Sequence, residues 1–157
     1  MNADRAPQLK AIVRRLPSIA MALYSINSFG SDTDLLVRGL AQTLTLAKTS
    51  EHRQAAVASH TRRQLATSNI WAEAIGNVAR RHLGNGELAI EGCTLYLLTP
   101  RIDPPGFIRG PILAYASITK FLQQLLYHPR ATDIVYVPWT PQELADFKLY
   151  HRNAISF

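Results

Sequence analysis

The chain has 157 residues, 47% of them hydrophobic and 18% charged, with a formal net charge of +6 and one cysteine. That length suits a single domain, 1–157, able to bury roughly 70% of the surface its unfolded chain exposes, and the composition excludes a disordered or disulfide-stapled chain. No stretch is apolar for long enough to span a bilayer and the N-terminus lacks the pattern of a secretory signal, so a cytoplasmic protein with no membrane partner is expected.

The charge is unevenly placed. Residues 1–84 hold eleven Lys and Arg against five Asp and Glu, whereas residues 85–157 hold six against six. A basic part, 1–84, is therefore followed by a neutral part, 85–157. Thirteen of the seventeen basic residues are Arg, whose planar fork matches phosphate or carboxylate.

Pro7 suits a first helical position, and Leu9, Ile12, Val13 and Leu16 follow it at helical spacing. Arg5, Lys10, Arg14 and Arg15 charge the same stretch. Pro17 breaks that helix and opens a short second one, predicted through Ile19 and Leu23 to about Ser25. Ser31-Asp32-Thr33-Asp34 then offers an N-cap with acids in the first turn, and Leu36, Leu40, Leu44 and Ala47 form the buried stripe of the helix it opens. Ser50-Glu51 caps a further predicted helix running to Leu83, where Gly84 stops it. Its second half carries Trp71, Ala74, Ile75, Val78 and His82 on one stripe. Thr67-Ser68-Asn69 is a point of division, and the pattern leaves one helix or two open.

The pattern changes at Glu87. Glu87 to Ile90 and Cys93 to Leu98 read as strands joined at Glu91-Gly92, a two-residue junction suited to a hairpin. The second arm is apolar at nearly every position, as in a strand covered on both faces. An eleven-residue connection, Pro100 to Gly110, follows. Pro111 is predicted to start a largely buried helix reaching residue 127, with Ala114, Tyr115, Ile118, Phe121, Leu122 and Leu125 on its stripe. Asp133 to Trp139 reads as a third strand, and Thr140-Pro141-Gln142-Glu143 as a capping box opening a last helix to about Asn153. The expected fold class is α+β: a helical N-terminal half packed with a small three-stranded sheet, its second and third strands parallel neighbours.

The Arg pairs carry the leading functional expectation. Arg62 and Arg80 are eighteen residues apart, five full turns of one continuous helix, so Arg62, Arg63, Arg80 and Arg81 would form a stripe away from the apolar face. With Arg14 and Arg15 they are the candidate phosphate contacts of a non-catalytic, nucleic-acid-associated accessory protein, a small subunit of a larger assembly. The bland alternative is a solvated helix face. The partner expected is nucleic acid, DNA or RNA, or an acidic protein surface.

Two further readings stand beside it. Ten of the thirteen Phe, Tyr and Trp lie after residue 85, and Ile155-Ser156-Phe157 ends the chain as an apolar anchor, which suits an interaction or homo-oligomerisation module. The 100–110 loop gathers Arg101, Asp103, Phe107 and Arg109, with Trp139 beside it if the strands are parallel, and is the place for a ligand or a small enzyme's site. The rival view of that loop is a lid in which Phe107 and Ile108 cap the core. None of the five histidines stands at metal-ligand spacing from another ligand, and Cys93 has no histidine near it in sequence. No metal, cofactor or catalytic residue is therefore assigned.

Overall fold

The computed structural model describes residues 21–157 apart from Ala116 and Ile118. Among the described residues seven strands form one sheet: β1 (Ala22–Ser25), β2 (Gln54–Ala58), β3 (Glu87–Ile90), β4 (Cys93–Leu98), β5 (Gly110–Tyr115), β6 (Ala131–Val137) and β7 (Ile155–Ser156). Between them run α1 (Thr33–Lys48), α2 (Arg62–Ala66), α3 (Asn69–Ile75), α4 (Asn77–Gly84), α5 (Thr119–Leu126) and α6 (Pro141–Tyr150). The strand order is β3-β4-β2-β5-β6-β1-β7, and every neighbouring pair is parallel except β3 with β4.

This is an α/β fold, and it overturns the expected three-stranded α+β arrangement. The first part of the chain is not a helical half, because β1 and β2 both lie inside the sheet. β4 and β6 do run in the same direction, but β2 and β5 separate them.

Alternation along the strands sends side chains to two cores. Ala55 and Val57 of β2, Leu95 and Leu97 of β4, Leu113 of β5 and Val135 and Val137 of β6 face α1 to α4. Ala56, Ala58, Leu98, Ile112, Ala114, Ile134 and Tyr136 face the opposite way, toward α5 and α6. Leu36, Leu40, Leu44 and Ala47 are all buried, as the α1 stripe predicts. On that helix Gly39 lets the backbone approach the sheet closely, since a Cβ there would lie 2.6 Å from Val137 Cγ2.

Three predicted helices become strands in whole or part. Ala22–Ser25 pairs with β6 and β7 where a helix to Ser25 was expected. Gln54–Ala58 pairs with β4 and β5, and α2, α3 and α4 are separate short helices, so the 51–83 stretch is neither one helix nor two. Gly110–Tyr115 is a strand, and the helix of that region begins only at Thr119. Pro111 sits in this strand where the β5–β6 register shifts between Gly110 and Ile112; at such an irregularity a missing N–H breaks no regular ladder. The helix read over 7–16 lies outside the described residues.

Other local readings hold. The β3–β4 hairpin turns at Glu91 and Gly92, with φ of 49° and 78°, as a tight two-residue hairpin requires. Asp32 caps α1 by accepting from Asp34 N at 2.9 Å, and Thr140 caps α6 by accepting from Glu143 N at 3.1 Å. The reciprocal bond of that box falls one residue earlier, from Trp139 N to Glu143 Oε2 at 3.0 Å.

Candidate functional site

In a parallel sheet the connections diverge where successive chains leave for opposite faces, and a crevice opens outside the carboxyl ends of those strands. β2 leads to α2 on the first face, and its neighbour β5 leads to α5 on the second. Between their ends lies a hollow of about 100 Å3. Ser59, His60 and Gln64 line it from the β2 side, Tyr115 from β5, Ser31 from the loop before α1 and Trp139 from the loop after β6, over a floor that includes Leu65 and Trp71.

Each wall is held by local chemistry. Thr61 caps α2 by accepting from Gln64 N at 3.0 Å, and Ser59 Oγ donates to Thr61 O at 2.9 Å. Ser68 caps α3 by accepting from Trp71 N at 3.2 Å. Glu143 holds the Trp139 backbone and also accepts from the Tyr136 hydroxyl at 3.3 Å. Trp139 therefore projects from a fixed backbone with 45% of its surface exposed. The His60 ring lies 5.3 Å from that of Phe121, at the start of α5.

Tyr115 is the group that the fold itself leaves incomplete. Its hydroxyl oxygen is buried and has no hydrogen-bond partner among the described residues, although a buried polar atom without a partner is costly. Burial raises its pKa, and the Asp32 carboxylate raises it further, so it stands as a neutral phenol able to donate. Ser117, just beyond β5, likewise has a buried Oγ without a partner among the described residues.

Charged residues stand in the segments that follow the strands around it. Asp32, Asp34 and Glu143 lie beyond β1 and β6, whereas Arg62 and Arg63 follow β2 and Arg101 follows β4. None of these charged groups lines the hollow itself.

The sequence-derived candidates are only partly assembled. Arg62 and Arg63 are exposed on α2, beside the hollow, while Arg80 and Arg81 belong to α4. The five-turn alignment needs one continuous helix, which is absent. Arg80 instead donates to Ser68 O at 3.1 Å, tying α4 to the start of α3, with its Nε buried and unpartnered. Arg14 and Arg15 lie outside the described residues.

The 100–110 loop crosses the second face from one sheet edge to the other, so its residues are dispersed. Arg101 lies at the carboxyl edge within a turn closed by Thr99 Oγ1, which accepts from Arg101 N at 3.2 Å and from Ile102 N at 2.9 Å. Asp103 pairs with Arg130, which also donates to Phe107 O at 2.6 Å and Pro104 O at 3.0 Å. His128, 3.6 Å from Asp103, has its pKa lowered chiefly by burial. Phe107 is fully buried against Tyr96 and His128, and so caps the second core as the lid reading holds, whereas Ile108 is 54% exposed. Arg109 stands at the far edge with Glu51, His52 and Asp133. Trp139 shares an edge with Arg101 only, and three strand spacings of about 4.8 Å separate β4 from β6.

Sequence reasoning missed Ser31, Ser59, His60, Gln64 and Tyr115 as a group. The available signal was Ser-His-Thr directly after Ala55–Ala58, which marks a strand exit only once that run is read as a strand. Among the described residues no group of three or more His, Cys, Asp or Glu could hold a metal ion, and no helix is long and apolar enough to cross a membrane. Cys93 is a buried free thiol. Comparison with protein families, with curated proteins and with solved structures finds no match to this chain.

Proposed function

We propose that the hollow between β2 and β5 binds a nucleotide unit, an aromatic base carrying phosphate. The observation that carries the reading is the buried, unpartnered Tyr115 hydroxyl lining a crevice at the point where the connections diverge, under an exposed indole. Crevices at this position are where open α/β sheets take ligands. Trp139 offers a face on which a base stacks, and such stacking is worth about 1–3 kcal/mol. Arg62 and Arg63, at the start of α2, meet phosphate, and Asp32, close enough to act on Tyr115, suits sugar or base donors. Binding rather than catalysis, in the cytoplasm, is the role proposed.

A free nucleotide and the end of a DNA or RNA strand share this chemistry. Fluorescence anisotropy with labelled mononucleotides and with short single- and double-stranded DNA and RNA, at two salt concentrations, separates the two sources. Trp139→Ala is expected to weaken the ligand about tenfold. Arg62→Ala/Arg63→Ala is expected to weaken binding and to flatten its salt dependence, because each lost phosphate contact removes released counterions. Arg81→Ala, on another helix, is expected to leave affinity unchanged. Binding of no probe at either salt, or loss with Arg81→Ala equal to that with Arg62→Ala/Arg63→Ala, overturns the reading.

A further inference from the structure

A wider hollow lies on the second face, where α5 and α6 leave between them a groove of about 500 Å3. The two helices have eight and ten residues, lengths of about 12 and 15 Å at 1.5 Å per residue. Leu122 and Phe147 form the apolar floor, and Leu126 and Tyr150 stand on its sides, Tyr150 with 76% of its surface exposed. The charged groups lining it are the carboxylates of Glu143 and Asp146, with neither Lys nor Arg among the described lining residues. An apolar groove with an acidic rim fits a basic amphipathic helix.

The chain itself carries such a stretch. Leu9, Ile12, Val13 and Leu16 stand at i, i+3, i+4 and i+7, the anchor spacing of a helix laid into a groove, and Lys10, Arg14 and Arg15 flank them. The point of entry also agrees. Met21 and Leu23 pack into the same second-face core as Leu122 and Phe147, and Ala22 pairs with Asp133 near the start of β6. That is the edge of the sheet at which α5 and α6 end. Residues 17–20, fully extended, span up to about 14 Å, which lets Leu16 reach the groove from Met21.

We propose that the groove between α5 and α6 is the docking site of the chain's own residues 7–16, seated with Leu9, Ile12, Val13 and Leu16 inward and their Lys and Arg against Glu143 and Asp146. This assignment gives Arg14 and Arg15 a carboxylate partner instead of a phosphate, and it does not depend on the nucleotide reading.

The test uses the full chain in a Cys93→Ala background. Val13→Cys is paired with Gln123→Cys, an exposed groove residue, and in a control with Val37→Cys, 43% exposed on α1 across the sheet. Under mild oxidation at low protein concentration, the groove pair is expected to close into an intramolecular disulfide at least about tenfold faster than the control, as a docked segment raises the effective concentration. Ile12→Cys with Tyr150→Cys serves as a second pair should the first fail to fold. Adding Asp146→Lys is expected to slow closure severalfold at low salt. Equal rates for groove and control pairs, or no slowing by Asp146→Lys, overturn the proposal. Disulfide-linked dimers in place of the closed monomer overturn it too, and assign the groove to a second copy.

Discussion

Gly110 is the position at which one added methyl group should be felt most. It opens β5 at the point where the 100–110 loop joins the sheet, and a Cβ there would lie 2.0 Å from Gln54 O and 2.8 Å from Gln54 C. An ordinary carbon–oxygen contact is about 3.3–3.6 Å, so the two backbones must part by roughly 1.4 Å. Hydrogen bonds of about 2.9 Å do not survive such a displacement. The Gln54 side chain would be drawn away with its backbone, and it holds the loop by donating to Gly106 O at 2.9 Å and accepting from Ile108 N at 2.7 Å. Overpacking of about 1–3 kcal/mol, with two or so bonds lost at about 1 kcal/mol each, puts Gly110→Ala at about 3–5 kcal/mol. Total stability is of the order of 5–15 kcal/mol. In urea, followed by fluorescence of Trp71 and Trp139 and by far-ultraviolet circular dichroism, the midpoint should fall by about 2 M for a slope near 2 kcal/mol/M. Gly92→Ala is the comparison. Its φ of +78° strains an alanine, but the added carbon meets nothing closer than Arg53 Nη1 at 3.8 Å, so it should lose only about 1 kcal/mol. A midpoint for Gly110→Ala within about 0.5 M of wild type, at unchanged slope, would refute the close approach.

Burial lowers the pKa of both His128 and His151 below the ordinary 6.5, so protonation favours the unfolded chain. Stability should fall as pH drops from 6.5 through the folded-state values, and His128→Gln/His151→Gln should flatten that slope in denaturant titrations; an unchanged slope refutes the assignment. Glu143→Ala removes the acceptor shared by Trp139 N and the Tyr136 hydroxyl. It should lose about 1–3 kcal/mol and red-shift or broaden Trp139 emission, and emission and midpoint both unchanged would contradict the tether. Cys93, 3% exposed, should react with a thiol reagent only at the rate of global opening, so labelling as fast as that of a free thiol in buffer would refute its burial.

What was legible in the sequence is what local chemistry decides. The Glu91-Gly92 hairpin, the Asp32 and Thr140 caps and the α1 stripe each depend on residues within a few positions of one another. The strands β1, β2 and β5 were not legible, because their sequences, ALYS, QAAVA and GPILAY, lack the β-branched alternation that announces a strand. Ala55, Ala56 and Ala58 pack under helices on both faces of a central strand, where small side chains fit and intrinsic preference counts for little. Missing these strands hid the candidate site. Ser59, His60 and Tyr115 come together only because β2 and β5 are neighbours, and the 100–110 loop drew attention through its composition although it serves chiefly to join β4 to β5 and cap a core. Arg62 and Arg63 were visible as charge, but their relation to Arg80 depended on one continuous helix, and the chain breaks that helix after Ala66 and again at Gly76.

The placement of β1 bears on how the molecule is assembled. Ala22 to Ser25 lie against Asp133 to Tyr136, and Phe157 N donates to Ser25 O, so the first described strand is flanked only by segments more than a hundred residues later. On a ribosome it emerges long before either neighbour exists. Until β6 has been synthesised, β1 and the β5 side of the growing sheet both present unpaired backbone, which is where wrong pairing and aggregation begin. Pairings so distant in sequence also make closure slow. The half built on β2, β3 and β4 can form from nearer contacts, and β6 then unites it with the waiting N-terminal strand.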